Sequence, residues 1–123
     1  MRKTFPKRER LHQQKLIKKL FDQGKSYNFF PIKLVYLPSS EVAQHQALFT
    51  VSRRNFKKAI DRNRIKRQMR EAYRLHKHQL PYSPNKDVHF LQAYIYIARE
   101  PATYQNIESK IKDSIGRLNK VKL

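Results

Sequence analysis

Arg53–Leu80 reads RRNFKKAIDRNRIKRQMREAYRLHKHQL. Each residue advances ~100° around a helix of 3.6 residues per turn. On that wheel Ile65, Met69, Ala72, Tyr73, His76 and Leu80 share an arc of roughly 100°, the width of a core-facing stripe. Asn63, Lys66, Arg67, Arg70, Arg74 and Lys77 occupy the neighbouring arc. Ile60 falls outside the apolar arc, which places the start of the regular helix near Asp61 or Arg62. Arg53–Arg74 carries ten basic residues against Asp61 and Glu71, a net +8 over 22 residues. Like charges one turn apart repel by a few tenths of a kcal/mol per pair. An ordinary solvated face would dilute them with glutamate, but the cationic arc holds no acid, which points to a polyanionic partner. Arginine predominates in it, and its planar fork grips phosphate in a bidentate way that lysine cannot.

The flanking segments supply a sheet and two more helices. Leu16, Ile17, Leu20 and Phe21 fall at helical spacing within Gln13–Gln23, and Gly24 follows as a C′ glycine. Phe29–Leu37 alternates as a strand, with Ile32, Leu34 and Tyr36 on one face and Lys33 and Val35 on the other. A short extra strand is expected near Ser26–Asn28. Pro38–Gln46 is polar and reads as a hairpin loop, Ala47–Ser52 as a strand, and Pro81–Asp87 as a turn. Val88–Ala98 contains Tyr94-Ile95-Tyr96-Ile97 and reads as a central strand covered on both faces. Thr103 is placed to cap a last helix on which Tyr104, Ile107, Ile111, Ile115 and Leu118 recur at three- and four-residue steps. The order is αβββαβα, an α+β two-layer sandwich of helices on a sheet.

At 123 residues and 39% apolar, the chain has the material for one domain spanning 1–123 with a modest core. Met1–Arg8 is expected to be loose. With no cysteine, disulfides, thiolate zinc sites and cysteine nucleophiles are excluded. Two glycines, Gly24 and Gly116, cannot write a P-loop or a dinucleotide fingerprint. The longest apolar run, Phe90–Ala98, falls far short of the ~20 residues of a membrane helix. No apolar stretch follows the basic N-terminus as in a secretory signal, so a cytoplasmic protein with no membrane partner is expected. The net charge is +19, and a polyanion would relieve the self-repulsion. Without helix-turn-helix, zinc-finger or zipper spacing, aromatics on a sheet beside a basic helix favour RNA over duplex DNA. His76 and His78, two apart, diverge on a helix and make no zinc pair. The nine acids are scattered and offer no two-metal nuclease site. Asn63 reads equally as a helix cap and as a group reaching a base edge, a 2′-hydroxyl or a metal-bound water.

The run Ala59-Ile60-Asp61-Arg62-Asn63-Arg64-Ile65-Lys66-Arg67-Gln68-Met69-Arg70-Glu71-Ala72 resembles the signature of the bacterial ribonuclease P protein component. Arg10-Leu11, Val51-Ser52-Arg53-Arg54 and Ala98-Arg99-Glu100-Pro101-Ala102 agree with that family in order and spacing. The resemblance implies the small protein subunit of an endoribonuclease whose catalytic element is RNA, with no catalytic residue in the protein and no activity of the protein alone. It implies Mg²⁺ acting through the RNA, without direct protein ligands. The implied partners are the catalytic RNA and precursor tRNA, with no obligate protein partner. Arg62, Asn63, Arg64, Lys66, Arg67 and Arg70, with Arg54, Lys57 and Lys58, are the implied contacts to the catalytic RNA. Ile17, Phe21, Tyr36, Ser52 and Arg53 are the implied contacts to the 5′ leader, where aromatic faces suit variable sequences. Ile17 departs from the phenylalanine the family often carries, and the loop after Arg54 lacks the family's frequent glycine. The resemblance also implies a left-handed β-α-β crossover, against the right hand of ~98% of such units. An architectural RNA binder of ribosomal type shares the charge but needs no leader site.

Overall fold

The computed structural model describes residues 4–81 and 87–121, so most of the predicted turn Pro81–Asp87 lies outside the described residues. The elements are α1 (Gln14–Gln23), β1 (Lys25–Phe29), β2 (Ile32–Ser39), β3 (Gln46–Val51), α2 (Ala59–His76), β4 (His89–Tyr96) and α3 (Tyr104–Leu118). The strand order is β1-β2-β4-β3. β2 runs antiparallel to β1 and β4, and β3 runs parallel to β4. Two expectations about strands need correction. The predicted strand Phe29–Leu37 is divided at Phe30–Pro31, where the chain turns from β1 into β2. The predicted hairpin loop Pro38–Gln46 joins strands that are not neighbours. β4, apolar on both faces, takes the buried place between them.

Period-two alternation sorts the side chains between two cores. Ile32, Leu34 and Tyr36 of β2, Phe49 and Val51 of β3, and Phe90, Tyr94 and Tyr96 of β4 meet α2 and α3 on one face. Val35, Leu91 and Ala93 meet Leu16 and Leu20 of α1 on the other. Each fully buried Leu, Ile, Phe or Met contributes roughly 1.5–3 kcal/mol relative to exposure. The larger core encloses the amide of Gln92, whose oxygen and nitrogen both find partners. Its Nε2 donates to the Tyr73 hydroxyl (3.1 Å) and its Oε1 accepts from the Tyr94 hydroxyl (2.7 Å). Burial pushes both phenols above their ordinary pKa, so they act as neutral hydrogen-bonding groups. The predicted cap is in place, with Thr103 Oγ1 accepting from the Asn106 N–H at 3.2 Å.

The hand of the β3-α2-β4 crossover follows from one hydrogen bond. The Leu11 N–H reaches the Ala47 carbonyl (2.9 Å) from beyond the outer edge of β3. The Ala47 side chain lies in the core shared with α2. For an L-residue in an upward strand viewed from its side-chain side, N–H and C=O both point right. The N-terminal arm therefore lies to the right of β3 and β4 to the left, which makes the crossover left-handed.

The expectation of a loose Met1–Arg8 fails for Phe5–Arg8. Phe5 packs edge-on against Phe49 (5.7 Å between centroids) and Tyr73 (5.5 Å). The Arg8 carbonyl accepts from Gln44 (2.7 Å) and Gln46 (3.2 Å). This arm covers the edge of β3 that would otherwise present unpaired backbone groups.

Gly24 ends α1 with φ −72°, not with the positive φ expected of a C′ glycine. Its requirement is space: a Cβ there would collide with the Leu20 carbonyl and sit 2.9 Å from the Tyr36 carbonyl. Around Gly116, inside α3, nothing lies within 4 Å of such a Cβ. Gly24→Ala should therefore lose about 1–3 kcal/mol of unfolding free energy, while Gly116→Ala should gain up to about 1 kcal/mol; urea titration of both variants checks the opposite signs. His45 supplies a pH dependence. Its Nδ1 accepts from the Phe90 N–H (2.9 Å) and its Nε2 faces the Pro81 carbonyl (3.0 Å), which fixes a neutral tautomer. Burial drives its pKa below the ordinary 6.5. A base whose folded pKa is depressed stabilises the fold fully above the unfolded value and loses that contribution as pH falls below it. Unfolding free energy should drop between pH 7 and 5 more steeply in the parent protein than in a His45→Asn variant.

Candidate nucleic-acid interface

α2 is seated by Ile65, Met69, Ala72 and Tyr73, all buried against the sheet and α3. That seating fixes the rotation of the helix and turns the adjoining arc outward: Asn63, Arg64, Arg67 and Arg70 are exposed and Lys66 is half-buried. The helix begins at Ala59, two residues before the predicted start. Its first turn overhangs the core, and Ile60 is accordingly 70% exposed. Asp61 lies in that first turn, where a carboxylate complements the helix dipole. Asn63 lies well inside the helix, which removes the capping reading and leaves its amide facing solvent.

Arg62 behaves differently from its neighbours. Its Nη1 donates to the carbonyls of Phe56 and Lys57, both at 2.8 Å. This clamps the Ser52–Lys58 loop to α2, helped by Asn55 Nδ2 donating to the Ile97 carbonyl at 3.3 Å and by Phe56, buried against Tyr96. Arg62, predicted as an RNA contact, is thus half-buried and in part a positioning residue. Ser52, Arg53, Arg54, Lys57 and Lys58, on the loop it holds, are all exposed. Ser52 Oγ accepts from the Arg54 N–H (3.1 Å), which shapes the exit from β3.

The far end of the predicted cationic arc is neutralised within the molecule. Arg74 pairs with Glu71 at 2.6 Å, and Lys77 pairs with Glu9 at 2.5 Å. Sequence reading missed both pairs because Glu71 sits on the adjoining arc and Glu9 arrives with the N-terminal arm. Among the described residues no ion pair includes Arg53, Arg54, Lys57, Lys58, Arg64, Lys66, Arg67 or Arg70. Burial, Arg10 and Arg67 together lower the pKa of the Arg70 guanidinium.

The predicted leader contacts do not form one group. Phe21 is 46% exposed and Ile17 packs on the α1-side core. Tyr36 points to the opposite side of the sheet, is 4% exposed, and stacks on Tyr27 with rings 5.6 Å apart. Its phenol is pushed up to about 12, first by burial and then by the hydrogen bond with Tyr27. Tyr36 is a core residue, and its assignment as a leader contact is corrected. Its alternation with Ile32 and Leu34 already placed it on their face. On the α1 side the register instead lines up Asn28, Lys33, Ile95 and Thr50 across four strands. Asn28 and Lys33 are exposed, Ile95 and Thr50 half-buried, so α1 leaves this row uncovered. Sequence reading passed over these residues; the signal was polar Lys33 and Thr50 within otherwise apolar strands.

Among the described residues no three histidine or carboxylate groups converge to hold a metal ion. No described helix is long and apolar enough to cross a membrane.

Comparison with known proteins agrees with this geometry. The chain shares its fold with the RNase P protein of Staphylococcus aureus, at a TM-score of 0.70 and 18% identity over 94% of this chain and 98% of that one. The RNase P protein of Thermotoga maritima superposes at 0.68, with 21% identity over 89% and 96% of the two chains. The ribonuclease P protein component of Porphyromonas gingivalis is 33% identical over 115 residues, covering 91% of this chain and 84% of the relative. That of Chlorobium phaeobacteroides is 46% identical over 82 residues, covering 63% and 56%. The family model described as Ribonuclease P matches residues 5–119, and the chain belongs to the ribonuclease P protein component family.

Proposed function

We propose that this chain is the protein subunit of a cytoplasmic ribonuclease P, which binds a catalytic RNA and the 5′ leader of precursor tRNA and supports Mg²⁺-dependent removal of that leader. The observation that carries the reading is the row Asn63, Arg64, Lys66, Arg67 and Arg70, continued by Arg53, Arg54, Lys57 and Lys58. These residues are directed outward by a packed helix and a clamped loop, and no carboxylate pairs with their cations among the described residues. Guanidiniums and ammoniums held this way neutralise phosphates that would otherwise repel one another where RNA and precursor meet. The scattered acids supply no protein-borne hydrolytic centre, so hydrolysis and its metal are assigned to the RNA, and the protein alone is expected to cut nothing.

The leader is assigned to the α1 side, along Phe21, Ile17 and the row Lys33–Ile95–Thr50, ending at Ser52 and Arg53. An exposed aromatic ring, half-buried aliphatic surface and flanking cations suit a single strand without base-specific readout. An architectural RNA binder shares the cationic row but has no use for this uncovered strip, which favours the subunit reading.

Reconstitution with the cognate RNA at low Mg²⁺ tests the reading: leader removal should require the protein, and equal processing without it would refute the role. Arg67→Ala should weaken assembly with the RNA and flatten its dependence on salt, by a slope of about 0.7–0.9 for each phosphate no longer neutralised. Phe21→Ala should weaken binding of precursor tRNA more than of mature tRNA, by roughly 1–3 kcal/mol if one base stacks there. Tyr36→Ala should instead lower the unfolding free energy by about 3–5 kcal/mol, as a buried aromatic does, without discriminating the two tRNAs once folded. Filter binding and thermal unfolding separate these outcomes.

A further inference from the structure

The N-terminal arm does more than cover the edge of β3. It is anchored at fixed points on α2, just past its end and on β3: Phe5 against Tyr73, Glu9 on Lys77, and Leu11 on Ala47. Arg10 lies between these anchors and is itself oriented. Its guanidinium sits 5.3 Å above the Phe5 ring, and its Nη2 donates to the Phe5 carbonyl at 3.2 Å. Tyr73, which Phe5 touches, is one helical step from Arg70, and Arg67 lies one step further back on the same outward arc. Arg10 and Arg67 are also the charges that act on the Arg70 guanidinium. The nearby carboxylates are engaged elsewhere, Glu9 with Lys77 and Glu71 with Arg74.

We infer that Arg10, delivered by the docked arm, joins Arg67 and Arg70 to form a three-arginine cradle for one RNA phosphodiester. Arg67 and Arg70 lie one helical turn apart, and the charges of Arg10 and Arg67 both act unfavourably on Arg70 in the free protein; a phosphate received by all three turns that repulsion into attraction. Only part of the fork of Arg10 is committed to Phe5, so donors remain for phosphate oxygens. Stacking on Phe5 holds the plane in place, so less freedom is lost on binding than for a solvated arginine. The arm therefore completes an anion site that the α2 sequence alone contains only in part.

This inference rests on the proposed RNA-binding function, and the test separates the two. Association of the full chain with the cognate catalytic RNA is measured across a salt series for the parent, Arg10→Gln, Arg70→Ala, the double variant and Arg8→Gln. Glutamine retains a donor for the Phe5 carbonyl, and protection of the Leu11 amide against hydrogen exchange reports that the arm stays docked. Arg8→Gln removes the same charge from an exposed position on the same arm. Arg10→Gln should weaken association about tenfold and lower the salt slope by about 0.7–0.9. Arg8→Gln should leave the slope nearly unchanged, and the double variant should be weakened clearly less than the two single effects combined, because both arginines share one phosphate. An unchanged slope in Arg10→Gln, an equal effect of Arg8→Gln, or additive effects in the double variant would each overturn the cradle while leaving the subunit role intact. Failure of the parent protein to associate with the RNA would overturn both.

Discussion

The parallel pairing of β3 with β4, and the seating of α2 against the face they share, is the constraint from which the functional surface follows. Ile65, Met69, Ala72 and Tyr73 enter a core with Phe49 and Tyr94, whose rings stack 5.3 Å apart. One residue of helical slip would rotate α2 by ~100°. It would carry Lys66 and Arg70 towards the core, and burying unpaired charge costs several kcal/mol. Packing thus fixes the direction of every cation on the helix. It does so in a molecule of net charge +19, whose cations repel one another until a polyanion arrives.

The two faces of the sheet divide the labour. The face under α2 and α3 is sealed, and its buried side-chain amide, Gln92, is satisfied by Tyr73 and Tyr94. The face under α1 is closed only in part, because a ten-residue helix covers less of a sheet than two longer ones do. The uncovered strip beside Phe21 is what remains. The arm and the Ser52–Lys58 loop carry cations at opposite ends of α2. Each is fixed by a few directed contacts: Glu9 to Lys77 and Phe5 to Tyr73 at one end, Arg62 to the Phe56 and Lys57 carbonyls at the other.

Much of this was legible in the residues. The arc of Ile65, Met69, Ala72 and Tyr73, the cap at Thr103, the enclosed strand around Tyr94 and the exposure of Ile60 all follow from local periodicity, which depends on neighbours in the chain. Tyr36 shows the limit of carrying a role across by resemblance. Its own alternation with Ile32 and Leu34 put it on one face, but only the position of α3 and Phe90 shows that this face is sealed. Arg62 shows another limit, since nothing in its spacing reveals that the carbonyls of Phe56 and Lys57 lie within its reach.

The sequence by itself determined the order of helices and strands, the separation of apolar from cationic flanks on α2, and the family to which these residues correspond. Periodicity dictates which side chains share a face whatever the global fold. Tertiary structure alone decided which strands pair, what lies over each face, which cations meet a carboxylate and that the Arg10 guanidinium is held over the Phe5 ring. Those outcomes depend on contacts between residues distant in the chain, such as Glu9 with Lys77 and β4 inserted between β2 and β3, and no local pattern encodes them.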